Sequence, residues 1–299
     1  MTRVTALALL ATIGLSGCIS CTNSNRVQAS RDFTLTAEWN DYEQVVVLSR
    51  NGRIELNAGS GTDIQIDGKL RVRGDTQAAA EAHLDELVVL AAVDPGDPRT
   101  FRIEFKVPER LKNYSPGAEL IVNLPHACAA HANTSNGSIR VKGLKGKVVL
   151  DTSNGAVHAE HIDGDLTVDT SNGRIVVLNV TGSCVLDTSN GAVEVTDVSG
   201  DLRVDTSNGS IQVDSDPPPD SDVILHTSNG SITATVPAAM TGEVKLDTSN
   251  GRVNVDFGDI PAKIHRRGKT HVTATLNDGG DGRIVADTSN GSITLKFKK

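Results

Sequence analysis

The sequence predicts an all-β protein, a parallel β-solenoid (β-helix) with coils of about 18 residues, Asn-Gly corners and one short helix in its N-terminal part. Three observations predict this fold. Apolar and polar residues alternate with the period of two that is typical of half-buried strands. The closing glycines of a repeated phrase are 18 residues apart over four steps, and then 21, 21 and 40 residues apart. That phrase is Asp-Thr-Ser-Asn-Gly, which stands intact or with its first residue changed at 133–137, 151–155, 169–173, 187–191, 205–209, 226–230, 247–251 and 287–291.

The Asn-Gly pairs also allow a different fold. An Asn-Gly between alternating strands favours a β-hairpin, which would give a meander or a propeller. The equal steps of 18 residues favour the solenoid, because propeller blades typically need about 40–50 residues each. In a solenoid every strand pairs with its counterpart one coil away, at about 4.8 Å.

The alternation assigns the side chains of the repeat to two faces. Each threonine shares parity with the apolar core residues, so its hydroxyl is expected to hydrogen-bond within the stack, and the aspartate before it points outward. The asparagines are expected to form a side-chain ladder, and each Asn-Gly suits a positive φ. The threonines are 152, 170, 188, 206, 227, 248 and 288; the asparagines are 136, 154, 172, 190, 208, 229, 250 and 290. A second corner recurs as apolar-x-Gly, at 144–146, 162–164, 180–182 and 240–242.

The first residues are typical of a targeting segment. Arg3 and the apolar run 4–15 fit a signal peptide, and the run is too short to span a membrane. The sequence Leu-Ser-Gly-Cys at 15–18 resembles the lipobox of bacterial lipoproteins, which implies cleavage after residue 17 and lipid attachment at Cys18. Ile19 then implies the outer membrane. The alternative is ordinary secretion with a free cysteine.

The rest of the chain divides into three predicted parts after the signal peptide at 1–17. Residues 18–32 are polar and predict a tether, in which Cys21 could pair only between molecules. Residues 33–131 predict an N-terminal β segment with one helix that caps the solenoid. Residues 132–299 predict the repeat β-solenoid itself.

Two details of the N-terminal segment are specific. Asn51-Gly52 lies between two strand-like runs and indicates a worn first copy of the repeat. Residues 76–87 predict the helix, with Thr76 as its N-cap and Leu84 and Leu87 on one face.

Three irregularities interrupt the C-terminal half. The proline-rich stretch 214–220 predicts a loop that bulges from the second corner. Within the 40-residue step, 264–268 stands where the repeated phrase would be, so it predicts a degenerate coil. The strand 293–297 is expected to be the last one, with Lys296, Lys298 and Lys299 protecting its exposed edge.

At this point the chain resembles the bacterial putative-adhesin family of envelope proteins, on the Thr-Ser-Asn-Gly copies, the worn Asn51-Gly52 copy and the helix-plus-strand segment that ends near Leu124-Pro125. The resemblance covers residues 33–299. It implies a β-solenoid domain of unknown molecular function and brings no catalytic motif.

Composition excludes several function classes. The net charge is −8 and the basic residues are interspersed, whereas a nucleic-acid face would cluster Lys and Arg. Aromatic residues make up 3% of the chain, too few for a stacking platform.

His126, Cys128 and His131 offer three metal ligands at most and favour a structural interpretation. Cys128 and Cys184 are placed about 14 Å apart by the coil spacing, too far for a disulfide.

An enzyme that acts on polysaccharides is the alternative from another class. Such β-helix enzymes use clustered charges in a groove built by long loops, whereas the loops predicted here are short. The residues that could carry catalysis lie where the repeat is interrupted; they are His265, Arg266, Arg267, Lys269 and His271. A calcium-binding β-roll is a further alternative, but only 279–282 comes near the Gly-rich turn that it needs. An ice-binding face is disfavoured because the threonines are predicted to point inward.

We therefore predict a non-catalytic, adhesin-like binding or structural module of the bacterial cell envelope, lipid-anchored at Cys18 to the outer membrane. Identical side chains repeated along the coil axis suit multivalent recognition of an envelope polysaccharide or protein. No nucleic-acid partner, cofactor, metal or catalytic residue is predicted.

Overall fold

The computed structural model describes residues 26–59, 61–125 and 127–299. The chain forms a β-solenoid that divides into two compact units, Met1–Leu144 and Lys145–Lys299. The predicted signal peptide, Cys18, Cys21 and His126 lie outside the described residues.

In its described part, the first unit contains nine strands, one α-helix and one short 3₁₀ helix. The strands are β1 (Val27–Glu38), β2 (Gln44–Leu48), β3 (Ile54–Ala58), β4 (Asp63–Gly74), β5 (Val88–Asp94), β6 (Asp97–Lys106), β7 (Gly117–Leu124), β8 (Ala129–Thr134) and β9 (Ile139–Lys142); the helices are α1 (Gln77–Asp85) and the 3₁₀ helix Glu109–Tyr114.

The worn copy of the repeat occupies a genuine coil, which confirms its prediction. Strand β2 pairs in parallel with β6 and β8, and β3 pairs in parallel with β7 and β9. The Asn136 side-chain amide donates to the Asn51 side-chain oxygen at 2.7 Å. Strands β1, β4 and β5 join the two sheets antiparallel to their neighbours.

The helix forms where the sequence predicts it. The Thr76 hydroxyl accepts a hydrogen bond from the Ala79 amide at 3.2 Å and so caps the first turn. Leu84 is buried on the helix, whereas Leu87, predicted to share its helix face, is buried just beyond the end of the helix. The helix packs closely on β4, since a Cβ at Gly74 would lie 2.3 Å from the Ala80 nitrogen.

The predicted tether at 18–32 is wrong over residues 27–32, which belong to β1. Strand β1 pairs with the whole length of β4, from Val27 opposite Gly74 to Glu38 opposite Asp63. Backbone pairing with this twelve-residue partner therefore extends the strand into polar residues that an apolar pattern could not predict.

The second unit contains sixteen strands. They are β10 (Val148–Thr152), β11 (Val157–Ile162), β12 (Leu166–Thr170), β13 (Ile175–Val180), β14 (Cys184–Thr188), β15 (Val193–Val198), β16 (Leu202–Thr206), β17 (Ile211–Asp214), β18 (Asp222–Asn229), β19 (Ile232–Pro237), β20 (Gly242–Asn250), β21 (Val253–Val255), β22 (Ala262–Arg267), β23 (His271–Leu276), β24 (Arg283–Asn290) and β25 (Ile293–Lys298).

Each coil of the second unit gives one strand to each of two sheets. Pairing is parallel and in register from β10 through β18, so that equivalent residues of successive copies lie opposite one another. The inward residues Leu150, Val168, Leu186 and Val204 are at most 1% exposed. Their side chains form the apolar core between the two sheets.

Beyond β18 the coils no longer stack in chain order. Strand β24 lies between β18 and β20, and β25 lies between β19 and β21. The C-terminal coil is thus inserted between two coils that precede it in sequence. The prediction that β25 is the exposed edge is wrong over Ile293–Leu295, which pair with both β19 and β21. Lys296 and Lys298 lie beyond that double pairing and pair with β19 alone.

The degenerate coil predicted at 264–268 is also wrong. Strand β22 pairs antiparallel with β23, and β23 pairs antiparallel with β20. A β-bulge interrupts the first pairing between Ile264 and Arg266. The segment is therefore a charged hairpin at the end of its sheet, where a bulge and charge disfavour pairing with another chain.

Candidate binding surface

The asparagines of the second unit form a ladder along one edge of the coils. Each side-chain amide donates to the side-chain oxygen of the asparagine in the adjacent coil, at 2.9 Å for Asn172 to Asn154 and 3.0 Å for Asn250 to Asn290. We call this set the asparagine ladder; its order is 154, 172, 190, 208, 229, 290 and 250. The ladder was predicted, but its last two members are exchanged by the inserted coil.

The threonines point inward and fasten neighbouring coils, as the alternation predicts. Thr188 is 1% exposed, and its hydroxyl donates to the Gly173 carbonyl at 3.2 Å. Thr206 donates to Gly191 at the same distance. These bonds satisfy hydroxyls that would otherwise be unpaired in the core.

The closing glycines are required by close approach of the coils. A Cβ at Gly191 would lie 1.9 Å from the Gly173 carbonyl oxygen. Neither Gly173 nor Gly191 has a positive φ. The expected positive φ at the Asn-Gly corner is therefore wrong at these two glycines.

The aspartates of the repeat form an outward row on the sheet that contains β10. Asp151, Asp169, Asp187 and Asp205 lie opposite one another in adjacent strands. We call these four residues the acidic row. His226 follows Asp205 in the next strand and interrupts the succession of carboxylates.

The acidic row perturbs its own ionisation. Partial burial raises the pKa of Asp187, and the carboxylates of Asp169 and Asp205 raise it further against the opposing effect of Arg203. Arg203 also forms an ion pair with Asp205 at 2.8 Å. Two carboxylates about 4.8 Å apart repel each other by about 0.9 kcal/mol in water, so the row is maintained against a small penalty.

Replacing Asp187 with asparagine should raise the melting temperature at neutral pH. Because the folded pKa of Asp187 is raised, the folded state loses stability as pH rises from the ordinary aspartate range through that higher pKa. The variant lacks this loss, so its advantage over the wild-type protein should shrink as pH falls below that window. Thermal unfolding as a function of pH measures the effect. Asp281→Asn, outside the row, is the control, and an equal shift in both variants would contradict the prediction.

The other sequence candidates are dispersed. Cys128 and Cys184 are free, buried thiols, and burial raises their pKa to about 11 and about 12. Within the described ranges, no group of three His, Cys, Asp or Glu side chains is placed to hold a metal ion.

The candidate catalytic cluster of the enzyme alternative lies on the β22–β23 hairpin. The His265 ring lies 2.8 Å from the Thr275 hydroxyl, whereas Arg267 donates to the Val255 carbonyl at 3.1 Å. The two side chains thus engage different elements of the unit.

Sequence reasoning missed a groove at the second corner of three coils. Its volume is about 360 Å³, and it is lined by His161, Asp163, Asn179, Thr181, Asp197 and Ser199. Lys145, at 3.2 Å, and the Thr181 hydroxyl, at 3.1 Å, hold the pKa of Asp163 below its ordinary value. The equal spacing of the lining residues, 18 positions from coil to coil, could have revealed the groove.

Comparisons with known proteins bear on the family. A family model described as Toastrack DUF4097 matches residues 100–296. A comparison with curated proteins found no match.

Several solved structures are similar to the chain at low identity. A putative adhesin from Bacteroides fragilis has a TM-score of 0.46 and 12% identity, with 88% of this chain and 96% of that one covered. A putative adhesin from Parabacteroides distasonis has a TM-score of 0.36 and 12% identity over the same shares. A putative lipid-binding protein from Parabacteroides distasonis has a TM-score of 0.29 and 13% identity, again over 88% and 96%.

Proposed function

The chain belongs to the Toastrack DUF4097 family, and from this premise we propose that it is a non-catalytic, adhesin-like binding module of the bacterial cell envelope. It recognises a repetitive partner, an envelope polysaccharide or protein, through side chains repeated along its coils. The lipid at Cys18 holds it to the outer membrane, and residues 18–26 separate the lipid from β1.

One observation carries this proposal, the regular exposed surface of the second unit. The asparagine ladder fixes one amide per coil at hydrogen-bonding distance from the next, and the acidic row places one carboxylate per strand in the same register. A partner with its own repeat can engage several of these groups at once, so that weak contacts add up to a large avidity.

No helix among the described residues has the length and apolar character needed to cross a bilayer. One further feature supports a non-catalytic surface role. The candidate residues of the enzyme alternative, His265 and Arg267, contact separate elements.

Binding of the full-length protein to arrayed envelope glycans and to whole cells tests the proposal. We expect binding by the wild-type protein, and a loss of tenfold or more when Asp151, Asp169, Asp187 and Asp205 are replaced together by alanine. The control removes four carboxylates elsewhere, at Asp63, Asp256, Asp259 and Asp281. Unchanged binding after loss of the acidic row would contradict its part in recognition, and turnover of a polysaccharide would overturn the non-catalytic assignment.

A further inference from the structure

At the second corner of the second unit, three residues that line the groove are held in the left-handed backbone conformation although none of them is glycine. His161, Asn179 and Asp197 occupy equivalent positions in three successive coils and have φ values of 56°, 56° and 55°. This left-handed conformation is strained for an L-residue, and glycine avoids that strain. The repeat shows that glycine is acceptable there, because the equivalent position 18 residues earlier is Gly143, with a φ of 73°.

Three coils therefore keep a polar side chain at a position where glycine would be less strained. Backbone strain of this kind is often retained where a side chain has a function. His, Asn and Asp tolerate the conformation better than other residues, which explains why these types are found there but not why glycine is absent.

The side chains of the groove retain hydrogen-bonding capacity. Asp163 accepts a hydrogen bond at 3.1 Å from Thr181 of the next coil, and the His161 ring lies 3.0 Å from Glu160. Farther along, Asn179, Asp197 and Ser199 are exposed. Their side chains form no hydrogen bond with any residue that the structure describes.

We propose that this groove binds a neutral, hydroxyl-rich glycan chain that lies along the coil axis. Carboxylates accept hydrogen bonds from sugar hydroxyls, and amide and hydroxyl groups both donate and accept them. Polar side chains occupy equivalent positions in each coil, about 4.8 Å apart, so successive sugar units each meet a hydrogen-bonding group, although the groups differ in type from coil to coil. Asp163 and Asp197 disfavour an acidic polymer in the same place.

This inference rests on the proposed function and adds to it a second site, with its own ligand class. The volume of about 360 Å³ falls within the usual range for ligand sites, about 300–1,000 Å³. The groove is distinct from the acidic row, which lies on the strands of the sheet that contains β10, whereas His161, Asn179 and Asp197 lie in β11, β13 and β15.

The decisive variant replaces His161, Asn179 and Asp197 together with glycine. It removes the three side chains while relieving the backbone strain, so its melting temperature should equal or exceed that of the wild-type protein. Binding of the full chain is measured on an array of neutral and of uronic-acid-containing oligosaccharides, followed by titration of the bound neutral oligosaccharides. We expect at least a tenfold loss of affinity in this variant. Asp41→Gly, which relieves a positive φ of 50° elsewhere, is the matched control and should bind as the wild-type protein does.

The other outcomes separate this inference from the proposed function. If the glycine variant binds normally while loss of the acidic row abolishes binding, the groove assignment is overturned and the proposed function stands. Preference of the wild-type protein for the acidic oligosaccharides overturns the choice of a neutral glycan. A marked fall in melting temperature would show that the three side chains stabilise the corner, which also overturns the inference. Absence of binding to any glycan, cell or envelope protein overturns both.

Discussion

Replacing Gly191 with alanine should destabilise the second unit by about 3 kcal/mol, the upper part of the usual range for overpacking. The added methyl group would lie 1.9 Å from the Gly173 carbonyl oxygen, which is well inside van der Waals contact. Relief requires the two coils to separate, and separation would lengthen the hydrogen bond from Thr188 to that same carbonyl. Because the coils are parallel and in register, the displacement passes to their neighbours.

The expected change in thermal unfolding, followed by circular dichroism, is a fall of roughly 6–12 °C in melting temperature for a unit of this size. Gly59→Ala is the matched control, since a Cβ there meets nothing within 4 Å. That change should be neutral or slightly stabilising, because alanine restricts the unfolded chain. If both variants melt together with the wild-type protein, the coils approach each other less closely than the structure shows.

Replacing Cys18 with alanine should release the protein from the membrane fraction. Lipid anchoring depends on acyl chains attached at one residue, so removal of that residue removes the anchor. Expression in a bacterium that processes lipoproteins, with labelled fatty acid, measures both the label and the fractionation. We expect the label and nearly all membrane association to be lost.

Cys21→Ala is the control for this change, because it removes a cysteine only three positions away. It should keep the label and remain with the membrane. Retention of Cys18→Ala in the membrane, or loss of label from Cys21→Ala instead, would contradict the assignment of Cys18 as the lipid attachment site.

The period of the repeat predicted most of the second unit. Equal spacing and parity together predict the parallel register, the inward threonines and the outward aspartates, because a strand has only two faces and four successive steps of the repeat have the same length. The worn copy at Asn51-Gly52 was recognisable for the same reason. Its turn residues survive although the flanking strands have lost the consensus.

The sequence could not predict the order in which the coils stack, because nearly identical copies of the repeat can pair equally well with one another. Nothing in the copy at 287–291 distinguishes a place after 247–251 from a place before it. The hairpin formed by β22 and β23 was missed because alternation of apolar and polar residues is the same in parallel and antiparallel strands. The groove escaped notice because His161, Asn179 and Asp197 differ in type and share only a position and a tolerance for positive φ.

Because the C-terminal coil is inserted between earlier coils, the coils cannot stack in the order in which they are synthesised. During synthesis β18 and β20 are complete before β24 exists, and both carry the same repeated pattern, so they can pair directly. This direct pairing would have to break before the last coil can insert. The contacts that replace it join residues far apart in the sequence, and such contacts form slowly. We therefore expect a slow final step in refolding. In that step the C-terminal strands insert between strands that precede them in the sequence.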